Sequence, residues 1–455
     1  MNWDAKVDVV IVGGGGGGLI AALAIAETGL EVAVFEKTNQ LLGNTSMSAG
    51  MIPACNSKFQ KQLSISDSVE IMVNDILNKN HYESEVKQVE ALSEISGPLV
   101  EWMYDSLGIP LSVVTEFKYP GHTNYRMHAT PTRSGLELMR LLKKKCTSFS
   151  NIHILYNSEL QKLIVQNNDV VGVCIKTSKG LQCISGKKVI LATNGFGANK
   201  QLVEQFIPEI KDALYFGYKA NTGAALHCGL EIGAQTTHLS SYQGHAAINE
   251  NTGLLVTWGT IMLGGFYINM DGRRFSNETS GYSEFAKFVL DQPYKQGFII
   301  FDEAIHLQLQ AIEDYKNLTE MQPFKKALTI EKLANEINVP VENFTKTFSD
   351  IVVLKNGMED EFGRASFKKL EPPYYAIKVS PALFHTQGGL KINENAEVIH
   401  QNGSIIKNLY AIGGSAAGIS GNGAYGYMSG NGLLAAFGFG KIAALHIIQQ
   451  LQLKN

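Results

Sequence analysis

The hydrophobic pattern is sharpest at the N-terminal end. Val7 to Val12 are apolar apart from Asp8, six glycines follow (Gly13 to Gly18), and Leu19 to Ala26 are apolar again. This order predicts a buried strand, a tight glycine turn and the start of a helix. A second strand, Glu31 to Phe35, ends at Glu36. Residues 66–108 carry the spacing of amphipathic helices, with Trp102 and Leu107 on apolar faces, and residues 136–146 predict another helix. That helix closes on Lys143, Lys144 and Lys145, a solvated end favoured by the macrodipole. Residues 152–191 alternate as short strands with turns at Asn167-Asn168-Asp169 and Ser178-Lys179-Gly180. Val189 to Thr193 is a buried strand that runs into the turn Asn194 to Gly197. From about residue 240 to about 380 the texture becomes aromatic and mixed, which predicts an inserted second domain. Asn408 to Gly414 then reads as strand and turn, and Gly430-Asn431-Gly432 opens a last helix through about His446.

Gly13, Gly15 and Gly18 meet the spacing G-x-G-x-x-G between a strand and a helix. Glu36 lies where an acid binds a ribose hydroxyl. Backbone N–H groups at such a turn hold a pyrophosphate with the help of the helix dipole. Glu36 would repel a 2′-phosphate, so FAD or NAD is expected rather than NADP. The bulk numbers narrow the class further. The 455 residues are 45% apolar and 18% charged with a net charge of −3, ordinary for a globular protein of two or three units. Nucleic-acid binding has no electrostatic footprint, no apolar run suffices to cross a membrane, and the first six residues do not form a signal peptide. Cys55, Cys146, Cys174, Cys183 and Cys228 form no C-x-x-C pair. No metal site is expected, and the thiols are expected to be reduced in a cytoplasmic protein.

Five stretches in fixed order resemble the flavoprotein family of fumarate reductases and 3-ketosteroid dehydrogenases, and the resemblance spans nearly the whole chain. They are Gly13 to Gly18 with Glu36 and Lys37; Gly43-Asn44-Thr45-Ser46 with Ala49-Gly50; Ala192-Thr193-Asn194-Gly195 through Lys200, followed by Thr222-Gly223; Asp271 to Glu278; and His385 to Leu390 through Leu409-Tyr410-Ala411 to the final helix. The resemblance implies an α/β fold. A Rossmann-like FAD-binding domain (residues 1–239 and 385–455) would carry an inserted α+β capping domain (240–384), with the flavin at their interface. It also implies noncovalent FAD, since the Gly43 loop has no histidine. Backbone N–H groups of Gly432, Leu433 and Leu434 would lie near the flavin pyrimidine edge, where a helix N-terminus stabilises the reduced anion. No second nucleotide fingerprint signals direct use of NAD(P)H, so an external electron acceptor or donor is expected. Two departures remove side-chain contacts to FAD: Ala224-Ala225 follow Thr222-Gly223, and Gly414 stands where the family often has an acid.

Fumarate reductases grip two carboxylates and protonate carbon with arginines. The matching positions here are Tyr282 and Tyr427, and tyrosine cannot supply that charge. Arg126 and Arg133 are the candidates for an arginine supplied from elsewhere. Tyrosines at these positions, with Ser429 in Tyr427-Met428-Ser429-Gly430, resemble the 3-ketosteroid Δ4-(5α)-dehydrogenases. The implied reaction moves hydride from the carbon β to a ketone onto flavin N5, while a base removes the α proton. Tyr427 would be that base with Ser429 as relay, and Tyr282 or the Gly389 N–H would donate to the carbonyl oxygen. His245 and His385 match substrate-binding histidines of fumarate reductases. An apolar slot for a cyclic ketone could be floored by Phe266, Tyr267, Phe285 and Phe288. The alternatives are an enoate reductase acting on a small unsaturated acid, and a flavin-holding protein without catalysis.

Overall fold

The computed structural model describes residues 2–352, 359–365 and 367–452. Its larger sheet has eight strands. Six run in the order Glu397–Ile399, Ile405–Ala411, Gly180–Leu191, Ala5–Val12, Val32–Phe35, Ile152–Leu155, and Glu159–Gln166 and Asp169–Thr177 extend it through Gly180–Leu191. Ala5–Val12 is parallel to both neighbours, and Val9 to Val12 are buried on both faces. That explains an apolar run without alternation.

The helix begins at Gly16, three residues before the apolar run that announced it. Gly13 sits at φ +111°, and a Cβ there would lie 2.2 Å from the Ala192 carbonyl oxygen; a Cβ on Gly17 would lie 2.6 Å from that of Ala436. The glycines therefore serve the turn and the close packing of this helix on the last one. The last helix, Asn431–Gln452, runs beyond His446. Its length and mean hydropathy of 1.4 do match a membrane span, contrary to the sequence expectation, but 56% of that apolar window is buried inside the protein. It packs on Gly16–Ala26 and Val86–Asp105.

The second sheet has seven strands. Five run in the order Leu254–Leu255, Tyr242–Asn249, Tyr374–Thr386, Gly297–Asp302, Phe266–Asn269, and Leu214–Tyr215 and Lys325–Ala327 also pair with Tyr374–Thr386. The pairing of Leu214–Tyr215 reaches back before residue 240, where the change of texture begins. Phe266, Tyr267 and Phe285 are buried core residues, and Phe288 is partly exposed; none of the four lines the large cavity described below. Tyr267, Phe285 and Phe288 pack where strand and helix faces meet, with Tyr267–Phe285 and Phe285–Phe288 ring centroids 5.2 and 6.1 Å apart, and Phe266, on the other face of its strand, packs against Phe348.

The cysteine expectation is corrected for one pair. Cys174 and Cys183 are joined by a disulfide across directly opposed positions of adjacent antiparallel strands. Cys55, Cys146 and Cys228 are free and buried. Among the described residues, no group of three or more His, Cys, Asp or Glu could hold a metal.

Candidate active site

One cavity, about 2100 Å³ of non-protein space partly open to solvent, is lined by the glycine turn, by the start of the last helix and by residues of the second sheet. Gly13, Gly15, Gly18, Glu36, Lys37, Gly43, Asn44, Thr45, Ala192, Thr193, Asn194, Gly414, Gly432 and Leu433 all line it. A Cβ on Gly15 would meet no protein atom within 4 Å, so the cavity opens where a pyrophosphate would rest on the helix N-terminus. Glu36 is locked in place: one carboxylate oxygen accepts from Gly14 N–H (3.0 Å), the other from Thr38 N–H and Oγ1 (2.9 and 2.8 Å). Lys37 pairs with Glu159 at 2.8 Å. Asn44 Oδ1 accepts from Tyr218 N–H and Asn221 Nδ2, and its Nδ2 donates to the Phe384 carbonyl, which ties the 43–47 loop to the second sheet.

Five residues singled out from the sequence do not line the cavity. The Ser46 hydroxyl turns back to the Gly43 carbonyl. Gly50 packs against Ser134, and Gly195 against Thr386 Oγ1. Leu434 donates its N–H to the Gly430 carbonyl at 2.8 Å. Gly389 pairs with Thr237 in a two-stranded sheet, and Gln387 and Gly418 line the wall in its place. At the head of the last helix, Gly432 and Leu433 keep N–H groups that no backbone carbonyl accepts among the described residues.

Tyr282, Tyr427, Ser429, His245 and His385 all line the cavity. Tyr282 is the first residue of the helix Tyr282–Leu290, and Tyr427 and Ser429 lie in the turn before the last helix. Ser429 Oγ donates to the Tyr282 hydroxyl at 3.0 Å, and the Tyr282 and Tyr427 rings meet edge to face at 6.1 Å. Burial pushes both phenols above their ordinary range; the Gly432 and Gly430 N–H groups and the Tyr282 hydroxyl oppose this at Tyr427. His122, absent from the sequence reading, braces this turn through Nε2 and the Ser429 carbonyl at 3.1 Å.

The strand Tyr242–Asn249 pairs antiparallel with Tyr374–Thr386, with register shifts beside Gly244 and His245. Such shifts re-aim side chains. His245 is stacked between Tyr282 (4.6 Å) and Phe384 (5.1 Å). Its Nδ1 accepts from Ala247 N–H, so the neutral ring carries its proton on Nε2. Burial pushes His245 down to about 3 and His385 to about 4. His385 Nδ1 lies 2.9 Å from Gln387 Nε2.

Neither candidate arginine reaches this site. Arg126 is buried and grips Asp67 through Nε and Nη2 (2.7 and 2.9 Å) and also Asp75. Arg133 pairs with Glu116. Among the described residues lining the cavity, Lys37 is the one lysine or arginine, and it stands beside Glu36 at the nucleotide end. Arg126→Ala would leave two buried carboxylates without their cation, at an expected cost of about 3–5 kcal/mol, read from the denaturation midpoint. Burial raises the Asp67 carboxyl, but Arg126 outweighs it and holds the group below its ordinary value. The stabilisation is therefore present at neutral pH and is lost as pH falls through that lowered value.

The FAD binding domain family model matches residues 8–433. A probable fumarate reductase, Ifc3, of Shewanella frigidimarina (strain NCIMB 400) is 30% identical over 432 residues, covering 93% of this chain and 71% of its own. The open conformation of a flavocytochrome c3 fumarate reductase superposes with a TM-score of 0.81 at 29% identity, covering 98% of this chain and 79% of that one. The 3-ketosteroid-Δ4-(5α)-dehydrogenase of Rhodococcus jostii RHA1 shares the fold, with a TM-score of 0.78 at 22% identity and 98% of both chains covered. The chain belongs to the FAD binding domain family and is an FAD-dependent oxidoreductase related to the fumarate reductases.

Proposed function

We propose that this enzyme reduces a carbon–carbon double bond conjugated to an uncharged carbonyl, using noncovalently bound FAD. The residues present fit that cofactor. Gly13, Gly15 and Gly18 would cradle its pyrophosphate, Glu36 would take a ribose hydroxyl, and the N–H group of Leu433 would face the pyrimidine edge while that of Gly432 is turned to the Tyr427 oxygen. Bound there, FAD supplies hydride exchange with the carbon β to the carbonyl.

The carrying observation is the Tyr282–Ser429–Tyr427 cluster in a cavity end that no lysine or arginine lines among the described residues. Desolvation keeps both phenols protonated at neutral pH, so they act as donors. Tyr282, held by Ser429, hydrogen-bonds the carbonyl oxygen, and Tyr427 delivers a proton to the α carbon. The same pair of phenols serves both directions by microscopic reversibility, so reduction is preferred over the desaturation that the tyrosine pattern implies because of the similarity to a probable fumarate reductase. Among the described residues, a carboxylate would meet no lysine or arginine at this end. The first test is anaerobic oxidation of reduced viologen by an uncharged cyclic enone; absence of turnover with any uncharged enone refutes the reading.

A second reading, reduction of a small unsaturated acid, is favoured by the fumarate reductase name of the 30% identical relative. Viologen oxidation by fumarate or acrylate would support it.

The buried histidines give a further expectation. With His245 pushed down to about 3 and His385 to about 4, both stay neutral through the ordinary histidine range. The kcat/KM profile for an uncharged substrate should therefore show no limb near pH 6.5 between about pH 5.5 and 8. A limb there would mean that one of them titrates in the working enzyme.

A further inference from the structure

The corner between the helices Val69–Lys79 and Val86–Asp105 lies outside the cavity wall: none of Lys79, Asn80, Glu83 and Ser84 lines it. Its contacts nevertheless converge on the two stretches that carry the phenols. Lys79 Nζ donates to the Ser280 carbonyl (3.1 Å) and to Glu284 Oε1 (3.2 Å), the residues two before and two after Tyr282. Asn80 Nδ2 donates to the Ile419 carbonyl at 2.9 Å, and Ser84 Oγ accepts from Gly421 N–H at 3.1 Å. Glu83 accepts from Asn422 N–H (2.7 Å) and Nδ2 (3.0 Å) through one oxygen and from the Tyr425 hydroxyl through the other. Gly426 packs on Asn80, where an added Cβ would lie 2.7 Å from Asn80 Cβ. The corner thus holds the stretch 419–426 that runs directly into Tyr427.

The backbone of the corner is constrained as well. His81 and Tyr82 take φ +55° and +60°, left-handed conformations that bulky residues keep only where the surroundings impose them. On the other side, the helix that Tyr282 opens has no side chain capping its N-terminus, so the Lys79 contacts restrain a start that its own sequence leaves uncapped.

Resting on the reading of Tyr282 and Tyr427 as paired donors, we propose that Lys79 and Glu83 are positioning residues for the reduction. Lys79 places Tyr282, and Glu83 with Asn80 places Tyr427, so one corner fixes the spacing of two phenols that come from distant parts of the chain. Each acts only through its tyrosine, and a small misplacement of a placed donor is costly in rate.

The test uses the FAD-loaded enzyme labelled with 3-fluorotyrosine. The resonances lost in Tyr282→Phe and Tyr427→Phe assign the two phenols. Lys79→Met should shift or broaden the Tyr282 resonance and Glu83→Ala that of Tyr427, at unchanged flavin content. Lys79→Arg, which keeps the charge and the donors, should resemble the wild type. With cyclohex-2-enone, Lys79→Met and Glu83→Ala should each lower kcat about tenfold and leave KM within about twofold. Glu83→Ala should add nothing in the Tyr427→Phe background. The Lys79–Glu284 pair is partly exposed, so Lys79→Met decides the matter even where Glu83→Ala fails to fold. An unmoved Tyr282 resonance in Lys79→Met, or a Glu83→Ala loss as large in Tyr427→Phe as in the wild type, overturns the positioning role. Resonances that move as expected, with no enone turnover by the wild type, would leave the corner's role standing and refute the reaction.

Discussion

Tyr427→Phe is expected to lower kcat/KM for an uncharged enone by roughly 10²–10⁴-fold, the usual contribution of a placed proton donor. The removed atom is the phenol oxygen, which faces the Gly432 and Gly430 N–H groups and the Tyr282 hydroxyl. The ring itself stays packed against Tyr282 and His385, so fold and flavin content should persist. The visible spectrum and melting temperature of the holoenzyme check that directly. Tyr282→Phe removes the donor to the carbonyl oxygen and takes from the Ser429 hydroxyl its acceptor. Wild-type turnover by Tyr427→Phe would remove the proton-donor role and leave this side chain as packing.

The second large effect separates two glycines of the same turn. Gly13→Ala places a Cβ 2.2 Å from the Ala192 carbonyl oxygen at φ +111°, between two strands at the centre of the larger sheet. Backbone cannot yield there, so the variant should lose stability and FAD together. Gly15→Ala adds a methyl that meets no protein atom within 4 Å. It should melt like the wild-type apoprotein yet bind FAD about tenfold more weakly or worse, because the methyl enters the space a pyrophosphate needs. Titration of the apoproteins with FAD, followed by flavin fluorescence, measures both. Equal FAD affinity of Gly15→Ala and wild type would mean that the cofactor approaches this turn differently.

Local patterns were legible wherever the chain reports its own surroundings. The strand, glycine turn and helix of residues 5–26 follow from an unbroken apolar run and the absence of side chains. The meeting of Tyr282 with Tyr427 and Ser429, nearly 150 positions away, carries no local signal, and only resemblance to a family brought the three together. Within each motif some residues face away: Ser46, Gly50 and Gly195 hold the loops in shape while their neighbours line the cavity. Gly389 was displaced because its strand pairs with Thr236–Thr237. Trp258, Asp314, Tyr315 and Phe384 line the cavity without any spacing that marks them, since their faces are set by how the second sheet closes over the first. The aromatics Phe266, Tyr267 and Phe285 were legible as apolar but not as core or lining, a distinction that tertiary packing alone makes. One missed feature did have a signal. Cys174 stands three residues before Thr177 and Cys183 three after Gly180, which are paired at the hairpin end, so the two thiols oppose each other by register.

The proposal is that this flavoenzyme reduces double bonds next to uncharged carbonyls, because the reacting end of its cavity offers phenols and neutral imidazoles and, among the described residues, no lysine or arginine. The most direct measurement is anaerobic stopped-flow reoxidation of the photoreduced holoenzyme by cyclohex-2-enone and by fumarate in parallel. Rapid return of the oxidised flavin absorbance with the enone, and none with fumarate, is the expected result. Rapid reoxidation by fumarate with none by the enone would contradict the account.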